Sequence, residues 1–162
     1  MLPANLDSLP TPAAVAAWDP SALTGGSQER GELVLWTTRE KLAPLCRFLK
    51  EQRQFTRLVA VTCIDRYPAE PRFEVVYLLH SIPNNERLRL KVAVAGADAA
   101  VPSVCSVWTG ANWYEREVYD MFGVRFDGHP DLRRILMPDY WQGHPLRKDF
   151  PVHGHKYSYK DE

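Results

Sequence analysis

Leu88, Leu90, Val92 and Val94 alternate with Arg89 and Lys91 in "LRLKVAV". That two-residue period belongs to a strand with one apolar and one wet face. Two further apolar runs, "LVAVTCID" (58–65) and "FEVVYLLH" (73–80), precede it, and the segments between them, "RYPAEP" and "SIPNNE", carry turn chemistry. Together they predict an antiparallel meander of three strands. Upstream, "LVLW" (33–36) predicts a first strand, after which the period lengthens: Leu42, Leu45, Cys46 and Leu49 share one face of a helix through "REKLAPLCRFLKEQR". Thr37 and Glu40 stand at capping-box spacing, and Pro44 marks a candidate first turn. A helical pair is expected near residues 98–122. The fold class is therefore α+β: a strand–helix start, the meander, two further helices, the helices on one face of the sheet, and a long irregular C-terminal tail.

The pattern also divides the chain. Residues 1–30 are rich in Ala, Pro, Ser and Gly and read as a loose lead-in, and residues 31–122 form the α+β domain. From 123 to 162 no period is sustained, and Pro130, Pro138, Pro145 and Pro151 recur. A segment this long without regular structure is either disordered or held by a partner. Disorder comes with few aromatics. Phe126, Tyr140, Trp141, Phe150, Tyr157 and Tyr159 favour the bound segment.

"NWYEREVYDMFG" (112–123) mixes charges and aromatics at a helix end. Asn112 suits the N-cap, Glu115 the capping-box position and Gly123 the C′ position. At about 100° per residue, Tyr114, Val118, Met121 and Phe122 face the sheet. Trp113, Arg116 and Asp120 lie opposite, with Glu117 at the edge and Arg116 paired to Asp120 four residues on. Glu115 and Glu117 diverge by roughly 200° and cannot converge on one bond as an acid–base dyad must. An arc of Arg, Trp and carboxylates has the composition of an interface; the competing reading is a solvated helix face.

Composition adds exclusions. The 162 residues carry 20 basic and 20 acidic side chains, so no excess positive field is available to collect nucleic-acid phosphates. Cys46, Cys63 and Cys105 sit in apolar settings without a CxxC spacing and read as reduced thiols. The proline-broken N-terminus has no basic n-region, which argues against a signal peptide, and the apolar runs are too short to span a bilayer. No phosphate-binding glycine loop, nucleophile elbow or metal motif occurs. A soluble, cytosolic chain with no catalytic, cofactor-binding or metal-ligating residues of its own is the expectation.

The tail contains an echo: "GHPDLRR" (128–134) and "GHPLRK" (143–148). Gly permits an unusual turn and Pro keeps the preceding His extended, so each block is a stiff corner presenting two cations. Metal binding by His129, His144, His153 and His155 matches no common zinc spacing. Phosphate binding by Arg133, Arg134, Arg147 and Lys148 is opposed by the interleaved Asp127, Asp131, Asp139 and Asp149. Charge-assisted pairs with carboxylates, within the chain or on a partner protein, fit best. A tail packed on its own domain is the competing reading.

These residues resemble the signature region of the 30-kDa subunit of respiratory complex I, a family found in the bacterial NADH-quinone oxidoreductases. The resemblance rests on Glu115, Arg116, Glu117, Asp120, Gly123, Gly128, His129, Pro130, Pro145, Leu146, Arg147, Lys148 and Asp149, strong over about 112–151 and weaker back to about 31. It implies a peripheral-arm scaffold subunit without a redox centre, holding the subunits that pass electrons from NADH via FMN and iron–sulfur clusters to quinone in a proton-translocating enzyme. The implied partner is chiefly the large 49-kDa-type subunit at the quinone cavity, with no nucleic acid and with membrane contact only through the complex. The implied location is the cytoplasmic face of the bacterial cell membrane. The complete "PLRKDFP" block looks more like a quinone-reducing member than a hydrogenase. The interface residues so implied are Trp113, Arg116, Glu117, Asp120, His129, Arg133, Arg134, Trp141, His144, Arg147, Lys148 and Asp149, on a tail ordered only beside its partner. A free-standing anion- or RNA-binding module using the basic doublets is the alternative.

Overall fold

A computed structural model describes residue 6 and residues 8–151. The meander forms as its alternation predicts: β3 (Arg57–Asp65), β4 (Phe73–Ser81) and β5 (Glu86–Val94) pair antiparallel. The first strand, β2 (Glu32–Thr37), joins the far side of β5 in parallel, with Leu35 beside Leu90. A parallel neighbour cannot be reached by a hairpin, so α2 (Arg39–Gln52) and two strands of the meander intervene. Leu42, Leu45, Cys46 and Leu49 are all fully buried against Tyr77, Leu79, Leu90 and Val92, at roughly 2 kcal/mol for each large side chain. Pro44 lies inside α2 rather than at its first turn, on an exposed position where the carbonyl it leaves unpaired can meet water.

The described part of the segment expected to be a loose lead-in holds regular structure instead. It carries α1 (Pro10–Trp18) and β1 (Gly25–Glu29), which closes a hairpin with β2 and gives the sheet order β1-β2-β5-β4-β3. Trp18 stacks on Phe48 of α2 at 4.6 Å, and Arg53 reaches Glu86 at 3.2 Å beside Thr11, tying α1 to the sheet. "GGSQE" has no apolar alternation because Gly26 must be small: a Cβ there would stand 2.7 Å from Leu6 and 2.9 Å from Leu35. The hairpin turns through Arg30 and Gly31, at φ 52° and 81°, with an arginine where Asn or Asp is the usual signal.

Of the helical pair near 98–122, one α-helix forms, α3 (Ala111–Phe122). The upstream part is a 3₁₀ turn at Gly96–Asp98 followed by the short strand β6 (Ala100–Pro102), which pairs in parallel with β7 (Arg125–Asp127). Val118, Met121 and Phe122 of α3 enter the same core as α2, so both helices cover one face of the large sheet. After β7 the described chain is irregular to residue 151.

Candidate partner-binding site

The C-terminal half of α3 and the tail form one unit. Gly123 ends the helix in the left-handed region at φ 74°, and its N–H donates to the carbonyl of Tyr119. A helix end leaves its last carbonyls without partners. Here the second Gly-His-Pro block supplies them. His144 Nδ1 donates to the carbonyl of Asp120 at 2.9 Å, the Leu146 N–H to that of Met121 at 3.1 Å, and Arg147 Nε to that of Phe122 at 2.6 Å. A guanidinium at this end also complements the helix dipole. Burial and the cations of Arg147 and Arg134 hold the His144 imidazole below its ordinary range.

The first block grips the other end. His129 Nδ1 accepts the N–H of Asp131 at 3.0 Å, which fixes the proton on Nε2, and Nε2 donates to the carbonyl of Asn112 at 3.2 Å. Between the blocks the carboxylate of Asp120, fully buried, accepts the backbone N–H groups of Ile135, Leu136 and Met137 at 3.0, 2.8 and 2.9 Å on Oδ2. Its Oδ1 accepts from Arg134 Nη1 at 2.5 Å. Burial raises this carboxyl, and the three amides and Arg134 outweigh it, leaving it below its ordinary value. Arg116 donates to the carbonyls of Arg133 and Arg134 at 3.1 and 3.0 Å, with its guanidinium over the Trp113 ring at 5.3 Å.

Three expectations are thereby corrected. Arg116 and Asp120 do not pair on an open face: both are buried, because the tail lies across the arc that helical spacing assigns to solvent or a partner. The tail is docked on its own domain through residue 151; the side chains of Arg133, Arg134 and Arg147 find acceptors inside the chain, and Lys148 is engaged through its backbone N–H. Asn112 is not the N-cap either; that position is Gly110, and Asn112 serves the tail through its carbonyl.

The far end of the tail is latched to the meander. Arg72 holds Asp65 through Nε and Nη2, at 3.0 and 2.9 Å, and Asp149 through Nη1 and Nη2, at 2.9 and 2.6 Å. Asp65 also accepts the N–H of Lys148 at 2.8 Å. Burial pushes Asp65 up, but Arg72 and the amides of Lys148 and Tyr67 bring it down to about 2. Sequence reasoning alone does not single out Asp65 and Arg72; an aspartate closing an apolar strand is the available signal.

Glu115 turns inward, fully buried, away from the exposed Glu117. It accepts from the Ser103 hydroxyl at 2.6 Å, the Val104 N–H at 2.7 Å and the Cys105 thiol at 3.4 Å. Burial lifts its carboxyl above the ordinary range despite these donors. Cys105, Glu115 and His129 place ligand atoms within 4.8 Å of one another. Both ring nitrogens of His129 are engaged, so a metal ion there would have to break the bonds that hold the tail. His153 and His155 lie outside the described residues.

The structure thus sorts the expected interface residues. Arg116, Asp120, His129, Arg134, His144 and Arg147 hold the tail to α3, and Trp141 is half-buried. Trp113, Glu117, Arg133, Lys148 and Asp149 remain at the surface. Large apolar side chains join them: Trp113 is 61% exposed, Leu136 60%, Tyr140 75% and Leu146 54%. Among the described residues no helix is long and apolar enough to cross a membrane.

Residues 35–156 match the family model for the 30-kDa subunit of respiratory-chain NADH dehydrogenase. The chain is 56% identical over 126 residues to the C-subunit of NADH-quinone oxidoreductase from Geobacter sulfurreducens, with 77% of this chain and 78% of that one covered. It is 46% identical over 135 residues to the same subunit from a Roseiflexus species, with 82% and 78% covered. Among solved structures, a trypsin-resistant fragment of Nqo5 superposes with a TM-score of 0.58 at 32% identity, covering 75% of this chain and 98% of the fragment. A chain of the membrane-bound sulfane sulfur reductase, an archaeal respiratory membrane complex, superposes at 0.74 with 26% identity, covering 86% and 83%. With the signature residues forming the clamp on α3 and the match spanning most of the sequence, the chain belongs to the 30-kDa subunit family of respiratory-chain NADH dehydrogenase.

Proposed function

We propose that this chain is a non-redox scaffold subunit in the peripheral arm of a proton-translocating NADH:quinone oxidoreductase. The observation that carries the reading is the exposure of Trp113 on α3 and of Leu136, Tyr140 and Leu146 on the tail that is clamped to it. Large apolar and aromatic side chains held in fixed positions are the composition of an interface centre, and rigidity spares the ordering cost of binding. In this reading the clamp makes the surface, and the large 49-kDa-type subunit lies over it. FMN and the iron–sulfur clusters reside in partner subunits, and NADH and quinone are substrates of the assembly rather than of this chain. The assembly holds the chain at the cytoplasmic face of the cell membrane, so membrane contact runs only through the complex.

The test is the triple variant W113A/Y140A/L146A, expressed in place of the wild-type chain. None of the three contributes to the core, so the fold should survive by circular dichroism. Co-migration with a large membrane assembly carrying NADH:quinone activity should fall at least about tenfold, since interface-centre aromatics cost about 2 kcal/mol or more each on truncation. Normal assembly of this variant would overturn the reading.

A further inference from the structure

The helices cover one face of the large sheet, and the opposite face is left open. On that face the register places Arg57 opposite His80 and His80 opposite Arg87, so the three stand in a line across β3, β4 and β5. Residues directly opposite one another share a face, at the strand spacing of about 4.8 Å. Arg57 and Arg87 are exposed, and none of the three side chains has an ion-pair or hydrogen-bond partner among the described residues. No carboxylate stands opposite either guanidinium in these cross-strand pairs, so the row lacks the opposite-charge pairing that stabilises a sheet. Folding alone does not call for this row.

Beside the row lies apolar surface. A register shift between Leu58 and Ala60 turns Val59 outward, where it is 39% exposed, and Leu78 stands half-buried next to it. These residues line a concavity of about 360 Å³. Bulges re-aim side chains in this way. Other cations of the face are paired locally: Arg89 with Glu32, and both Lys91 and Arg66 with Glu74.

We infer that the open face of the sheet is a second docking surface, which takes a carboxylate-bearing segment of a partner polypeptide across Arg57, His80 and Arg87, with an apolar side chain of that segment seated on Val59 and Leu78. The charge complementarity is confined to this row. Arg89, Lys91 and Arg66 on the same face are already committed to Glu32 and Glu74, so the unpaired positive charge is one short row, which suits a discrete acidic segment better than a continuous polyphosphate. Guanidinium groups suit such a partner because they bind carboxylates bidentately. This surface adds to the one proposed on the tail and does not depend on it.

The experiment places a photo-crosslinking phenylalanine at Val59, and separately at Tyr140, in the full chain expressed in its own host, and identifies the crosslinked peptides by mass spectrometry. The Val59 probe should capture an acidic segment of another polypeptide. The variant R57E/R87E should lower that yield at least about tenfold by putting like charges against it, and the size-preserving R57Q/R87Q should lower it less. Both residues are exposed, so far-UV circular dichroism should be unchanged. A Val59 probe that captures nucleic acid, a segment without carboxylates or nothing outside its own chain overturns the inference, as does a yield that survives R57E/R87E. Loss of Tyr140 crosslinks with Val59 crosslinks retained would overturn the tail surface and leave this one standing.

Discussion

Replacing Asp120 by Asn keeps the shape of the buried side chain and removes its charge. Three backbone N–H groups converge on one carboxylate oxygen and the Arg134 guanidinium on the other. A hydrogen bond to a charged group contributes about 1.5–3 kcal/mol and a neutral one about 0.5–1.5 kcal/mol. The amide oxygen of Asn can keep the three N–H donors at a loss of about 1 kcal/mol each, but its NH₂ then faces a guanidinium, donor against donor. The gross loss of about 4–5 kcal/mol is an upper bound. Ile135 and Met137 are half-buried and Leu136 is exposed, so their amides regain water once the tail lifts. The net loss of docking is expected near 3 kcal/mol, about a 100-fold rise in local opening.

Native-state hydrogen exchange reads this directly. Amides of residues 135–137 should exchange about 100-fold faster in D120N, while those of Leu88 and Leu90 in the central strands hold their rates. A rise of less than about threefold at 135–137 would refute the anchor. An equal rise in the strands would show that tail and core open as one unit, and the local argument would fail. Acid should mimic the variant in the wild type. The folded Asp120 carboxyl lies below its ordinary value, so its contribution is present above the unfolded value near 3.9 and lost as pH falls through the folded one. D120N should lack this acid-driven release.

Two further variants test the neighbouring groups. Gly123→Ala forces a side chain into the left-handed region, with its Cβ 2.5 Å from His144 Nε2 and upon the Arg147 guanidinium. It should cost about 3 kcal/mol, or roughly 6–12 °C in Tm, whereas Gly110→Ala, at φ −64° with open space around it, should be near neutral; a fall under 2 °C for Gly123→Ala would be fatal to the argument. Glu115→Gln addresses a carboxyl that burial raises above the ordinary value of 4.5. The folded state then holds a proton the unfolded state has released, so wild-type stability falls as pH rises from the ordinary glutamate value through the raised folded one. Urea midpoints should move in favour of the Gln variant across that window, and a difference flat from pH 4 to 8 would contradict the shift.

What the sequence made legible follows the physics of each element. The three meander strands and the buried face of α2 announce themselves because burial imposes a period on the residues that provide it. β1 was silent because its place beside Leu6 and Leu35 requires a glycine, and α1 because its prolines mask a helix start. The arc of α3 was misread for a different reason. Helical spacing shows which residues share a face, but not what covers it, and a segment with no period of its own is invisible to that test. Arg116 and Asp120 read as part of a partner interface because nothing local hints that Arg133, Arg134 and three amides of residues 135–137 meet them. The Gly-His-Pro echo is legible as a repeat, but its purpose lies in the fold, where each histidine sits on a carbonyl at one end of the same helix.

That arrangement explains why charged and aromatic residues crowd "NWYEREVYDMFG". The charges of Arg116 and Asp120 face the tail, and the exposed indole of Trp113 faces outward beside them. An irregular segment has no ladder of its own, and each of its backbone groups must find a partner or water. Asp120 and the carbonyls of residues 120–122 supply those partners, and the tail in return caps the helix. The exchange turns a chain with no regular structure into a fixed platform. Leu136, Tyr140 and Leu146 can then stay exposed at defined positions instead of collapsing onto the core, which is the condition a partner surface needs. In the proposed scaffold role, the signature residues would act through the shape they hold. Loosening the clamp by D120N should therefore weaken co-migration with the membrane assembly even though Asp120 is fully buried and can touch no partner.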